Sequence, residues 1–184
     1  IREVNDAVEI VLVDESAKDG ELILGCRVQK LYRITDKDKY IVAIGNNQIR
    51  RNLFMCLKEA GRGKPISIFS LNSRISDSAL IGNGTFIAPG ACVGAQACIG
   101  DNTVINTASV IEHEAVIGRH VHISPNTTIC GRTKIGNNVF CGAGSVIIDK
   151  TSVCDNVIIG AGTVVKDDIT IAGTYVGVPA RKVK

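Results

Sequence analysis

Aromatic side chains are scarce. They make up 4% of 184 residues, Trp is absent and Met occurs once. Such a chain lacks the stacking platforms that single-stranded nucleic acid needs. A net charge of +3 is too small to suggest a phosphate backbone or an anionic membrane as partner. No apolar run reaches 18 residues, so no membrane-spanning helix is expected. The seven cysteines are odd in number and none falls in a C-x-x-C pair, which reads as reduced thiols in a cytoplasmic protein. No signal-peptide pattern opens the chain. It begins on Ile1, inside what reads as an element, so residues upstream are expected. Disorder and collagen are excluded by 45% apolar residues and by 19 Gly without a triplet period. The length suits one to one and a half domains.

What the chain has is a period. From Ile75 an aliphatic residue recurs every six positions: 75, 81, 87, 93, 99, 105, 111, 117, 123, 129, 135, 141, 147, 153, 159, 165 and 171. All seventeen are Ile or Val except Cys141. Four residues later comes a mostly small residue, as at Ala79, Thr85, Ala91, Ala97, Thr103 and Ser109, and Gly often follows the aliphatic position. A period of six is neither that of a helix nor that of a two-faced strand. It fits a short strand and a turn, three of which close a triangular coil of 18 residues. The aliphatic side chain points inward and stacks on its copy in the next coil. Gly and Asn (Asn83, Asn102, Asn137, Asn138) serve turns with unusual backbone angles. The run makes just over five coils, a prism about 25 Å tall at the usual strand spacing.

The first seventy residues read differently. Residues 9–13 suggest a buried strand ending at Asp14, and residues 40–44 a second, followed by Gly45 and Asn46. A helix is expected from about Gln48 to Ala60, capped by Asn46 or Asn47 and closed by Gly61. Residues 66–69 suggest a third strand. Alternation of this kind indicates a small α/β unit with a parallel sheet, whose ligands bind beyond the carboxyl ends of strands. Asp14, Gly45 and Asn46 lie at those ends and are the candidate substrate-binding residues. They serve equally well as a strand-end turn (Asp14) and as a turn and helix cap (Gly45, Asn46).

The unbroken hexads resemble the left-handed parallel β-helix of the hexapeptide-repeat acyltransferases; the handedness is implied by that family. The whole chain resembles one branch of it, the sialic acid O-acetyltransferase and bacillosamine-pathway amino-sugar N-acetyltransferase family. The resemblance rests on Val13-Asp14-Glu15, Val42-Ala43-Ile44-Gly45-Asn46 with Arg50-Arg51, Ile105-Asn106-Thr107, Ile111-Glu112-His113-Glu114 and Val121-His122-Ile123-Ser124-Pro125. Gly177-Val178-Pro179-Ala180 resembles the closing G-N-P-A segment. The family's opening strand and Gly-rich loop have no counterpart. Residues 1–6 would end the helix after that loop. Phe69-Ser70-Leu71-Asn72 stands where the family has I-H-P-S. The fold implied is a left-handed β-helix over 71–184 behind a small, N-terminally incomplete Rossmann-like α/β subdomain over 1–70, assembled as a homotrimer.

Acetyl transfer needs a base for the acceptor's proton, donors for the tetrahedral oxyanion and a thioester held in line. Of the three histidines, none takes the inward hexad place. His120 reads as a solvated surface residue. His113 is the candidate general base, flanked by Glu112 and Glu114. A carboxylate on its other ring nitrogen would raise its basicity, and the resemblance makes that carboxylate Glu114. Neighbouring strand residues point oppositely, so the pairing requires a turn. The resemblance gives His122 to acetyl-CoA. Gly131, Ala143 and Ala161, taken as a series one coil apart, would admit the narrow pantetheine arm, with Gly131 stacked over His113. Arg181, Lys182 and Lys184 could meet the CoA phosphates. His113 and His122 should lie roughly 12–18 Å apart within a chain, so they could share one acetyl group only across a subunit boundary. No metal is expected: the histidine separations of 7, 2 and 9 do not suit a γ-type carbonic anhydrase. The expected acceptor is the amine of a nucleotide-linked 4-amino sugar destined for a bacterial surface glycan. Alternatives are O-acetylation of a sialic acid and a non-catalytic β-helix.

Overall fold

The computed structural model describes residues 9–18 and 20–183. The expected helix end at residues 1–6 lies outside them, as does Lys184. The chain opens with short strands β1 (Leu12–Val13), β2 (Leu22–Ile23) and β3 (Cys26–Gln29). β3 pairs with β1 in parallel and with β2 antiparallel, so this sheet is mixed rather than parallel. Leu24 and Gly25, both at positive φ, make the β2–β3 turn. Their sequence carries no Asn-Gly signal, and the hairpin is not visible in the sequence. β4 (Lys39–Tyr40) pairs in parallel with β5 (Lys64–Pro65) on either side of helix α1 (Asn47–Glu59).

The helix lies within a residue of its expected span. Asn46 Oδ1 accepts the Ile49 amide at 3.0 Å and Gly61 follows at φ +64°, a side-chain cap at one end and a left-handed residue past the other. The expected strands over 9–13 and 40–44 shrink to two residues each. Past Tyr40 the backbone has a different partner, because the Ile44 and Gly45 carbonyls accept from the Arg50 guanidinium. The strand expected over 66–69 divides. Lys64–Pro65 stays with the α/β region, while Ile68–Phe69 is the first strand of the solenoid and pairs with Phe86–Ile87.

Beyond it the register is constant. Each two-residue strand pairs in parallel with the strand 18 residues on: Arg74↔Cys92, Cys92↔Val110, Val110↔Thr128, Thr128↔Val146 and Val146↔Val164 on the first face. The second face runs from Leu80 to Ser152 and the third from Ile68 to Gly173–Val176, in sheets of six, five and eight strands. Gly173–Val176 extends the third face, and Arg181–Lys182 folds back on it antiparallel.

The hexad explains the core. Ile87, Ile105, Ile123, Ile147 and Ile159 are fully buried and stack coil on coil along the axis. The small position is buried too, and its threonines satisfy themselves on the backbone. Thr85, Thr103, Thr127 and Thr133 donate to carbonyls 15 residues on at 3.0–3.1 Å, so no buried hydroxyl among these four is wasted. Every corner turns on a residue at positive φ, recurring each sixth position from Gly84 to Gly162. That left-handed residue is what lets three flat strands close into a triangle.

Candidate active site

His113 sits at the corner between the first and second faces. Glu114 is the left-handed residue of that corner, with φ +59°, and this supplies the turn that the sequence argument required. The turn swings the two side chains to the same side, and His113 Nδ1 lies 3.0 Å from Glu114 Oε2. A ring nitrogen facing a carboxylate is the donor, so Nδ1 carries the proton and Nε2 keeps its lone pair. About half of each side chain is exposed, as a base that meets a substrate requires. Gly131 lies one coil above. A Cβ there would approach His113 Cε1 and Nε2 to 2.8 Å, so the missing side chain is the space the imidazole occupies.

His122 points outward on the third face, between Val104 and Phe140 in the ladder, with ring centroids 5.3 Å from Phe140. Its Nδ1 is 3.2 Å from the Gly45 carbonyl and so donates to it, and Asn106 Nδ2 approaches Nε2 at 3.5 Å. Burial holds its pKa below the usual histidine value against the Gly45 hydrogen bond, with Arg50 adding to the depression. It is therefore a neutral imidazole at pH 7. The fold thus joins two segments that the sequence treated separately, Gly45 of the α/β region and His122 of the solenoid.

The other candidates are placed as follows. Asn46 spends its side-chain oxygen on the helix cap. Asp14 accepts from the Ser16 amide and hydroxyl at 2.8 and 2.6 Å, bonds that keep its carboxyl below the usual range. Ala143 and Ala161 stack one coil apart, and Gly162 donates to the Ala143 carbonyl. Gly131 does not belong to that series, which corrects the expectation. It precedes Ala143 by two thirds of a coil and stands at His113's corner, whereas the alanines stand at the corner between the third and first faces. Arg181 and Lys182 are exposed at the end of the solenoid. Among the described residues no three His, Cys, Asp or Glu side chains are grouped to hold a metal, and no helix is long and apolar enough to cross a membrane.

His120 is not on the surface. It is 7% exposed, in the seam between α1 and the solenoid, with Phe54 edge-on at 5.8 Å and Asn102 Nδ2 2.8 Å from its Nδ1. Its hexad place faces out of the solenoid, and the helix covers it. Burial, then the cations Arg51 and Arg50, depress its pKa to about 4 from 6.5. Between those values the unfolded chain binds a proton at His120 that the folded chain refuses. Stability will therefore fall as pH drops from 6.5 towards 4, by about 3 kcal/mol at most, and level off below. Urea midpoints measured across that range check this. His120→Asn should flatten the slope, since Asn102 and Asn138 adopt the same left-handed backbone one coil away on either side.

Sequence reading also missed the weight of Arg50, which is fully buried. It donates to the carbonyls of Ile44, Gly45, Asn102, His120 and Val121 and to Asn47 Oδ1, at 2.9–3.3 Å. One signal was available: Asn47, Arg50 and Phe54 follow helical spacing and form the face α1 turns to the solenoid.

A three-faced parallel solenoid with an open histidine–glutamate pair at one corner defines a class, the hexapeptide-repeat transferases. The comparisons agree with it. Residues 132–167 match the bacterial transferase hexapeptide (six repeats) family and residues 1–57 the PglD N-terminal domain. No curated protein matches the chain. Among solved structures, the acetyltransferase domain of PglB from Neisseria gonorrhoeae FA1090, in complex with acetyl coenzyme A, is 30% identical over 95% of this chain and 86% of that one, with TM-score 0.86. PerB from Caulobacter crescentus, in complex with CoA and GDP-perosamine, is 28% identical over 80% and 70%, with TM-score 0.78. WeeI from Acinetobacter baumannii AYE, at 22% identity, shares the fold over 99% and 91%, with TM-score 0.69. The chain belongs to the hexapeptide-repeat acyltransferase family, a left-handed β-helix preceded here by a PglD-type N-terminal region.

Proposed function

We propose that this protein transfers the acetyl group of acetyl-CoA to the amine of a nucleotide-linked 4-amino sugar, for surface glycan synthesis. The observation that carries this reading is the His113–Glu114 pair at an open corner of a solenoid whose relative PerB holds CoA and GDP-perosamine. The acceptor nitrogen attacks the thioester carbonyl and His113 Nε2 takes its proton. Glu114 stabilises the imidazolium that forms. The tetrahedral intermediate collapses, and the departing CoA sulfur recovers the proton from Nε2. The segment before about residue 70 holds the sugar nucleotide through Asp14, Gly45 and Asn46. His122, Ala143 and Ala161, with the backbone at Gly131, line the acetyl-CoA path. Seven free cysteines suit a reducing cytoplasm.

The active unit of this reading is a homotrimer. His113 and Gly131 flank one side of the first face, and Ala143 and Ala161 flank the other. That face is a shallow groove lined by Arg74, Ile75, Cys92, Val93 and Val110. Three chains packing these faces about an axis would set the His113 corner of each against the alanine corner of the next, with His122 beside it.

A thiol-release assay with acetyl-CoA tests the chemistry, using UDP-, dTDP- and GDP-linked 4-amino sugars and free and CMP-linked sialic acid. Turnover with one amino sugar is the expected result, and turnover with sialic acid alone would replace N- by O-acetylation. Mixing His113→Ala chains with His122→Ala chains tests the shared cleft. Random reassembly should restore activity in about a quarter of clefts. A fully active monomer would end the trimer reading.

A further inference from the structure

His113's corner is unlike the other two. At those, the left-handed residue is Gly or Asn at eight of ten positions, Ala108 and His120 being the exceptions; at this one it is Gln96, Glu114, Arg132 and Lys150. Long side chains are disfavoured in that conformation, and backbone held so against preference marks places where the side chain is needed. Arg132 stands one coil directly above Glu114, and its amide donates to the His113 carbonyl at 3.0 Å. An arginine so placed would ordinarily pair with the glutamate below. Instead its Nη2 donates to both oxygens of Asp149, at 3.0 and 2.9 Å, and Glu114 stays with His113. Asp149 in turn shares the space over Gly131 with the imidazole. A Cβ on Gly131 would lie 2.8 Å from His113 Nε2 and 3.1 Å from Asp149 Oδ1, so those two atoms are within about 6 Å of each other.

We infer that the Arg132–Asp149 ion pair is a positioning device that sets the strength of the base. Asp149 keeps Arg132 off Glu114, Arg132 keeps Asp149 off Nε2, and the two charges cancel at the imidazole. The inference rests on His113 being the base. The charged and titratable groups around the ring are Glu112, Glu114, Cys130, Arg132, Asp149 and Lys150. Lys150 Nζ is 4.0 Å from Asp149 and shares its charge. Arg132 holds the Asp149 carboxyl below its usual range, so it is ionised. Burial, Glu112 and Asp149 push the Cys130 thiol up, so it is neutral.

The signature is a pair of opposite shifts. Asp149→Asn leaves an uncompensated cation near the ring, so the His113 titration midpoint falls. Arg132→Met leaves an uncompensated anion, so the midpoint rises. Each shift should be about half a pH unit, a threefold change in the acidic limb of kcat/KM. The double variant should return to the wild-type midpoint, and Asp149→Glu should stay near it. With only three histidines in the chain, the Cε1–H resonances can be followed by NMR in the assembled protein, with His113→Asn giving the assignment. A merely structural pair would lower stability without moving the midpoint in opposite directions. Shifts of one sign, no shift, or a double variant that fails to return would overturn the inference. Should His113→Ala retain turnover, the base assignment fails whatever the midpoints do. Should it be inactive while the midpoints stay fixed, only the role of the pair fails. The double variant leaves no unpaired charge and keeps the test available if a single variant does not fold.

Discussion

Alanine at position 113 will lower turnover at saturating acetyl-CoA and acceptor by about 10²- to 10⁴-fold, the usual worth of a positioned base, with the fold intact. The side chain is half exposed and outside the core, and Glu114 is its one hydrogen-bond partner. Truncation therefore opens no cavity among the stacked isoleucines. Because the loss is in proton transfer, kcat should carry it, and KM for acetyl-CoA should change little. Glu114→Gln will show a smaller loss with its acidic limb displaced to lower pH, since an amide stabilises the imidazolium less than a carboxylate does. Gln96 adopts the same left-handed corner one coil below, so the substitution is tolerated by the backbone. More than a tenth of wild-type activity in His113→Ala would remove the residue from the role of base.

Arg50→Met will destabilise the docking of the α/β region by at least about 3 kcal/mol, the size expected when several buried acceptors lose a donor together. Burial lowers the Arg50 pKa to about 10, so the guanidinium is charged at pH 7, and neutral acceptors alone meet it. Among the described residues it is the donor that reaches the carbonyls of Ile44, Asn102 and His120. Methionine fills the stem's volume and leaves those oxygens dry and unpaired. Lysine has three donors in the wrong geometry and will not rescue. Urea unfolding and limited proteolysis across residues 41–60 measure the loss. Because Arg50 and His122 both donate to the Gly45 carbonyl, KM for the sugar nucleotide should rise more than KM for acetyl-CoA. An unchanged midpoint would show that water can serve these carbonyls and that the clamp is dispensable.

Much of the solenoid was legible because its code is local. An aliphatic residue every sixth position sets the inward side chain, a small residue four places on sets the corner, and three hexads set an 18-residue register that the ladder follows without a slip from Ile68 to Val165. His113 beside Glu114 was legible for the same reason, since both residues belong to one turn. The α/β strands were not. Apolar runs at 9–13 and 40–44 look like strands, but a strand needs a partner, and the Ile44 and Gly45 carbonyls found Arg50 instead.

The sequence by itself determined the period, the stacking order along each face and the identity of the histidine–glutamate pair. Tertiary structure alone decided that His120 is covered by α1, that Gly45 meets His122, that Gly131 makes room for His113 rather than joining Ala143 and Ala161, and that Arg132 is taken by Asp149. The physical reason is separation along the chain. Arg50 reaches carbonyls 52 to 71 residues away and His122 one 77 residues away. No periodicity encodes a contact between two segments of different period; it exists only once the helix has docked and the groups left over on each side have found one another.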